Sequence, residues 1–302
     1  MSRPKVLLIG CDGQVGWELQ RTLGVFAEVT ATSLCGRYGY ALDLLNTAGI
    51  ADAVKAVKPD YIVNAAAHTA VDKAESEVDL ARQLNADAPE LLAQLAKQVG
   101  AVLIHYSTDF VFSGESRTPY QETDVSGPLG VYGQTKLDGE NRILATDADA
   151  LIFRTSWVYG SQGHNFMQTM LRLFRERDEL NVVDDQVGAP TWSRMIAEAT
   201  GQILGQLHAG NIVAAEQKGI YHMTNGGETS WYGFASAILA LSGETCRINP
   251  ISTDQYPTPA RRPAYSVLDN RRLNQVFGIQ LPDWYQSLIQ CMEDRDVVRG
   301  QK

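Results

Sequence analysis

Lys5-Val-Leu-Leu-Ile-Gly-Cys-Asp-Gly-Gln-Val-Gly16 opens on an unbroken apolar run and carries glycines at 10, 13 and 16. An apolar run of this length that stops at glycine suits a parallel strand buried on both faces. Gln14 to Leu23 follows, with Val15, Leu19 and Leu23 on one helical face. Glycine lets the chain turn tightly and lets backbone approach a diphosphate. The helix N-terminus beyond it offers free N–H groups and a partial positive charge. Gly10, Gly13, Gln14, Val15 and Gly16 are therefore candidate contacts for a dinucleotide. The G-x-x-G-x-x-G spacing is weak by itself and gains weight from its place between strand and helix.

Outward from this turn, strand-like and helix-like segments alternate. Glu28 to Thr32, Tyr61 to Ala67, Ala101 to Tyr106 and Ala150 to Arg154 read as strands. Thr47 to Val57, Val71 to Gly100 (with Pro89 starting a second helix) and Tyr132 to Leu144 read as helices. Steady alternation predicts an α/β fold, a Rossmann-type doubly wound parallel sheet. The second half is less regular. It offers helices at Asn165 to Arg177, Trp192 to Leu207, Trp231 to Leu241 and from Trp284, one strand at Ile220 to Thr224, and a proline-rich stretch from Pro250 to Pro263. We expect a dinucleotide-binding domain of 1–160 plus about 190–222. A smaller C-terminal substrate-binding lobe would take about 161–189 plus 223–302.

Composition narrows the partners. The 302 residues carry a net charge of −9, with 44% hydrophobic and 20% charged residues. Such a surface repels phosphate polymers, and no like-charge run offers a nucleic-acid or anionic-membrane site. The four cysteines, Cys11, Cys35, Cys246 and Cys291, form no C-x-x-C pair, so a reducing cytoplasm is expected. Val6 to Ile9 is too short for a signal or membrane segment. No metal site is expected: Asp184-Asp185 has no third ligand nearby, and the five histidines lack paired spacing, His68 being the one placed near the site.

The sharpest chemical pattern is Tyr132-Gly-Gln-Thr-Lys136. Positions four apart share a helical face, so the ammonium of Lys136 is expected to lower the Tyr132 phenol toward working pH. Lys136 can also bond ribose hydroxyls, and Tyr132 can give a proton to a carbonyl. Thr108, at the end of the preceding strand, offers a hydroxyl to the same oxygen. The second strand ends in Thr30-Ala-Thr-Ser33 with no acid, and Arg37 follows. Ser33 and Arg37 suit a ribose 2′-phosphate, which points to NADPH and leaves NADH open. Asp43 can cap backbone or bond adenine. Trp157 can stack on a sugar. Tyr256 to Pro263 carries Arg261 and Arg262, donors suited to an anionic substrate.

Together these residues resemble the extended short-chain dehydrogenase/reductases. Asn64 to Glu75, His105 to Phe112, Val131 to Leu137, Phe153 to Tyr159, Asp185 to Thr191 and Tyr256 to Pro263 narrow the resemblance to the dTDP-4-dehydrorhamnose reductases. That resemblance implies NAD(P)H-dependent reduction of the 4-keto group of dTDP-4-dehydro-L-rhamnose, the last step of dTDP-rhamnose biosynthesis for cell-surface polysaccharide. It implies Tyr132 as proton donor, Lys136 as its tuner and Thr108 as positioner of the C4 oxygen. Asp109, Trp157 and Thr108 would contact substrate, and Leu44, Asp43, Ala67, His68, Thr69 and Tyr106 would join the cofactor set. Some relatives form a homodimer bridged by Mg²⁺ through glutamates. Here Glu18 and Glu293 match, but Arg194 stands at the middle position, so no such metal is expected and a homodimer stays open. Two other readings remain: a sibling nucleotide-sugar epimerase, and a non-catalytic NADP-binding regulatory subunit of the same fold. A 4,6-dehydratase is disfavoured, because Phe110 stands where its glutamate would follow Thr108-Asp109.

Overall fold

The strand that opens the sequence, β1 (Lys5–Ile9), lies inside a seven-stranded parallel sheet, and Val6 to Ile9 are essentially inaccessible to water. This is a computed structural model, and it describes residues 2–299. From β1 the chain builds one way through α1 (Gln14–Gly24), β2 (Glu28–Ser33), the short β3 (Tyr40–Ala41) and α2 (Thr47–Val57). It then crosses to the other side of β1 with β4 (Tyr61–Asn64). The segment read as one helix with a restart at Pro89 is α3 (Val71–Ala74), α4 (Val78–Arg82), a π-helical turn at Gln83–Asp87 and α5 (Ala88–Val99). Proline lacks the N–H that a regular ladder would use, and the turn before it closes instead with Ala88 N–H on the Gln83 carbonyl.

The sheet continues with β5 (Val102–Thr108), α6 (Val131–Ala145) and β6 (Ala150–Thr155). Next come β7 (Val158–Tyr159), α7 (Phe166–Glu176), β8 (Glu179–Val183), β9 (Val187–Gly188), β10 (Thr191–Trp192), α8 (Ser193–His208) and α9 (Ala214–Gln217). The last sheet strand is β11 (Gly219–His222), followed by β12 (Thr229–Ser230), α10 (Trp231–Ser242), β13 (Arg247–Ile251), α11 (Arg271–Phe277) and α12 (Trp284–Arg299). The order β11-β6-β5-β4-β1-β2-β3 reverses between β1 and β4, the switch point where a crevice opens beyond the strand ends. The doubly wound parallel sheet is as the alternation predicts.

Two apolar layers cover the sheet. On one face α1 and α8 pack through Leu19, Leu23, Ile196 and Ile203 against Val6, Leu8 and Ile104. On the other, Ile50 and Val54 of α2 and Leu92 and Ala96 of α5 cover Leu7, Ile9 and Ile62. Each such fully buried aliphatic side chain stabilises the fold by about 1.5–3 kcal/mol relative to exposure. A third core joins α7, α10, α12 and β8 around Phe174, Phe234 and Leu288. Leu273, Phe277, Ile279 and Leu281 pack into the first core, although the expected lobe boundary at 223 would give them to the third.

Two elements depart from the sequence reading. β13 pairs in parallel with β8, and its last two residues, Pro250 and Ile251, fall at the start of the stretch read as proline-rich. Pro250 is tolerated because this sheet has only two strands, so the missing donor can face outward. The run read as a strand to Ala67 stops at Asn64, because the Asn64 side chain accepts the Ala66 N–H and turns the backbone out of the ladder.

Candidate active site

Register brings the candidate residues level. Ile9 of β1, Asn64 of β4 and His105 of β5 lie in one row, and β5 runs on to pair Thr108 with Thr155. Beyond this row lies a cleft of about 610 Å³. Its lining includes Gly10, Gly13, Gln14, Val15, Ala67, Thr69, Tyr106, Thr108, Asp109, Tyr132, Lys136, Trp157 and Arg262.

The glycine turn is backbone against backbone. A Cβ on Gly16 would sit 1.9 Å from the Gly10 carbonyl oxygen, and one on Gly10, at φ +83°, would sit 2.8 Å from Ala66 N. Gly13 is the N-cap of α1, no side chain caps it, and the first turn holds no acid. The helix N-terminus therefore keeps its donors for an anion, the feature a diphosphate needs. Gln14 closes the far side of the turn: its carbonyl accepts from Asn165 at 3.0 Å, which ties the loop to the start of α7.

Tyr132 and Lys136 share a face of α6, and Phe110 meets the Tyr132 ring edge-on at 5.6 Å. The Thr108 hydroxyl donates to Asp109 at 3.1 Å and accepts the Phe110 N–H, and it lines the cleft with the Tyr132 phenol. Burial pushes Tyr132 up to about 12, opposed by the nearby Thr108 hydroxyl and assisted by the Asp109 charge. The expected lowering by Lys136 is thus not what the free protein has. The Lys136 Nζ is 2.6 Å from the Tyr106 carbonyl and 3.2 Å from His105 Nε2, turned to the sheet rather than to the phenol. Burial brings Lys136 down to about 8, against the support of Glu140 one turn on. Glu140 is itself gripped by Arg154 through two bonds of 2.9 and 2.6 Å, the pair wholly out of water. Burial also raises Asp109 to about 6 despite hydrogen bonds from Ser266 and Thr108.

The opposite wall is aromatic and basic. Trp157 stacks on Trp231 of α10 with centroids 3.5 Å apart and planes within 3°, and Phe166 leans on Trp231. Trp157 holds a left-handed backbone at φ +47°, a conformation costly for a bulky residue and frequent where a site fixes a side chain. Arg262 is bound to Asp72 of α3 at 2.8 Å and to the Ala260 carbonyl at 3.0 Å, and Asp72 also takes the Ala260 N–H. Arg262 is therefore both paired and on the cleft.

Five candidates lie off this cleft. Gly16 is packed behind the turn. Arg37 is exposed over the Tyr38 ring, and its carbonyl, not its guanidinium, takes bonds from Ser33 and Cys11. Asp43 caps the Leu45 N–H and borders a separate hollow between β2 and α2, while Leu44 is buried in the core under that face. His68 turns its ring to Glu77 at 2.8 Å and away from the cleft, its backbone clamped by Asn85. His68 is not alone near the site, as the sequence reading had it: His105 touches Lys136 and His164 lines the cleft. Strand pairing is what brings His105 there, and periodicity cannot show it. Asn85, Asn165 and Trp231 were also missed, while Asn64 was placed at the sheet's carboxyl edge without its tie to His105. Asn85 lies in the π turn and joins His68 to Thr135 of α6.

Of the two acids matched to a metal bridge, Glu18 and Glu293, Arg194 binds the first, with its Nε 3.3 Å from the buried carboxylate, and its other partner is Asp294. Asp185 takes the Thr253 N–H and hydroxyl and Asp184 takes Ser230, so both are structural acceptors. Among the described residues no helix is long and apolar enough to cross a membrane.

Comparison with known proteins places this geometry. The model of the RmlD substrate binding domain matches residues 4–297. A dTDP-4-dehydrorhamnose reductase of Burkholderia thailandensis is 46% identical over 298 residues, covering 96% of this chain and 98% of the relative. A crystal structure of a dTDP-4-dehydrorhamnose reductase from Clostridium acetobutylicum superposes with a TM-score of 0.88 at 39% identity, over 98% of this chain and 99% of that one. Another, from Bacillus anthracis in complex with NADP, gives 0.87 at 32% identity, over 97% and 100%.

Proposed function

The chain belongs to the family of the RmlD substrate binding domain, that of the dTDP-4-dehydrorhamnose reductases, and on that premise we propose how its own residues carry the reduction. It is an oxidoreductase that converts dTDP-4-dehydro-L-rhamnose to dTDP-L-rhamnose. NADPH is the cofactor assigned, in keeping with the NADP-bound relative and with the absence of an acid at the end of β2. The uncapped start of α1 and the close-packed glycines fit its diphosphate.

Bound NADPH supplies the hydride that reaches sugar C4. Tyr132 gives the proton to the C4 oxygen. A phenol held up at about 12 is fully protonated at neutral pH, which suits a proton donor. Thr108 orients that oxygen, and its hydroxyl beside the phenol opposes the upward push of burial. Lys136 holds the ribose edge of the cofactor and adds positive charge beside the developing phenolate. The stacked Trp157 and Trp231 wall the sugar side. Arg262, held by Asp72, offers a spare N–H face to the anionic substrate. We assign the nucleotide sugar to the side of 161–189 and 223–302, and the protein to the cytoplasm, in keeping with its four free cysteines.

The observation that carries this reading is that Thr108, Tyr132 and Lys136 line one cleft whose other end is the glycine turn. The test is loss of NADPH absorbance on adding dTDP-4-dehydro-L-rhamnose. Oxidation that depends on the sugar is expected. Cofactor binding without any sugar-dependent oxidation would move the assignment to another ketosugar nucleotide.

A further inference from the structure

Under the cleft floor, a row of polar side chains leads from the loop after β4 to Lys136. Asn64, His105 and Lys136 are 1%, 0% and 2% exposed, so their polar atoms must be matched among themselves. Asn64 Oδ1 accepts the Ala66 N–H at 3.2 Å, which turns its amide nitrogen toward His105 Nδ1, 3.1 Å away. His105 Nε2 faces Lys136 Nζ at 3.2 Å, and Nζ donates to the Tyr106 carbonyl.

Counting hydrogens constrains this row. Complete burial holds His105 well below its ordinary value, so the ring is neutral, with one N–H and one lone pair. The Asn64 amide donates to Nδ1, so the ring proton is on Nε2 and points at Nζ. A neutral amine can accept it through its lone pair and still donate to Tyr106. An ammonium has only donors and cannot. For Lys136 to be charged, the ring must carry its proton on Nδ1 and Asn64 must turn its amide over, giving up the Ala66 bond.

We propose that His105 is a positioning residue for Lys136, and that its tautomer is locked to the charge of the lysine through Asn64. The Nδ1–H form accompanies the ammonium and the Nε2–H form accompanies the amine. Over the whole change one proton leaves to solvent and the imidazole keeps one. Because the Asn64 turn shapes Ala65 to Ala67, which line the cleft, whatever covers that loop is coupled to the charge beside Tyr132. The charged and titratable groups around Lys136 are His105 on β5, Tyr132 and Glu140 on α6, and Arg154 on β6 behind Glu140. Asp109 acts on Tyr132. The functional consequence rests on the reductase reading; the locked tautomer does not.

The test uses the full, cofactor-free protein with isotope-labelled histidine rings, whose nitrogen resonances distinguish the tautomers. His105→Gln identifies the signal by its loss. We expect His105 to pass from Nδ1–H to Nε2–H as pH rises through about 8, the value to which burial brings Lys136. In Lys136→Met one tautomer should persist throughout. A single tautomer across the titration in the unaltered protein, or a switch that survives Lys136→Met, overturns the proposal. If Lys136→Met does not fold, the unaltered protein still decides. NADPH affinity gives a second readout. In His105→Gln, whose amide oxygen accepts from the ammonium, the alkaline fall in affinity should move to higher pH, by about tenfold lower proton concentration. An unmoved limb would mean that His105 only fills space. Neither measurement requires the ketosugar, so failure of the reductase reading would be seen separately.

Discussion

One wall of the cleft is the carboxyl edge of a single sheet, and the other is gathered from α7, α10 and the loop that carries Arg262. On the sheet side, side chains are fixed by register: Asn64, His105 and Thr108 owe their places to paired backbone, and Lys136 is anchored to β5. On the lobe side, Trp157, Trp231 and Arg262 are fixed by side-chain contacts, a ring stack and an ion pair. The first kind of wall can hold reacting atoms to a fraction of an ångström. The second can adapt to a substrate. On the reading proposed above, chemistry belongs to the sheet edge and recognition to the opposite wall.

Substitutions can break that contrast. The largest effect is expected from Tyr132→Phe, with kcat falling about 100- to 10,000-fold while NADPH affinity stays nearly unchanged. Steady-state kinetics beside a binding titration would check it, and a variant with near-normal kcat would remove Tyr132 from the chemistry. Next is Glu140→Gln, which strands the buried Arg154 charge. Loss of about 3–5 kcal/mol of stability is expected in denaturant unfolding.

Asp109→Asn tests the same wall with the opposite sign. Burial raises this carboxyl from 3.8 to about 6, so the folded state binds its proton more tightly than the unfolded chain. Its contribution is best below about pH 4 and worsens as pH rises to about 6. The amide mimics the protonated acid, so neutral-pH stability should rise by up to about 3 kcal/mol while turnover falls. Thermal unfolding at two pH values would show whether that pH dependence flattens. The smallest effect is expected from Trp231→Ala: KM for the sugar nucleotide up by about tenfold with kcat within a few-fold. A selective loss of kcat there would erase the division between the walls.

The same contrast explains what could be read from the chain. The glycine turn, Tyr132 with Lys136, and Thr108 at a strand end are local patterns, and the fold brings them to one cleft. The alternation of apolar runs and amphipathic helices likewise fixed the parallel sheet. What escaped depends on pairing between distant segments. His105 reads as one more residue of a buried strand, and only the register with β4 and the reach of Lys136 give it neighbours. The β8–β13 pair and the Trp157–Trp231 stack join segments with no shared periodicity. The direction of the Tyr132 shift was misjudged for a physical reason: helical spacing sets a common face but says nothing of burial, and here burial dominates.

The central claim is that the sheet edge performs the proton transfer through Tyr132. Its most direct test follows NADPH oxidation with dTDP-4-dehydro-L-rhamnose in the unaltered protein and in Tyr132→Phe under matched cofactor saturation. Sugar-dependent oxidation is expected in the first and its near disappearance in the second, with NADPH still bound. Equal rates in the two proteins would contradict it.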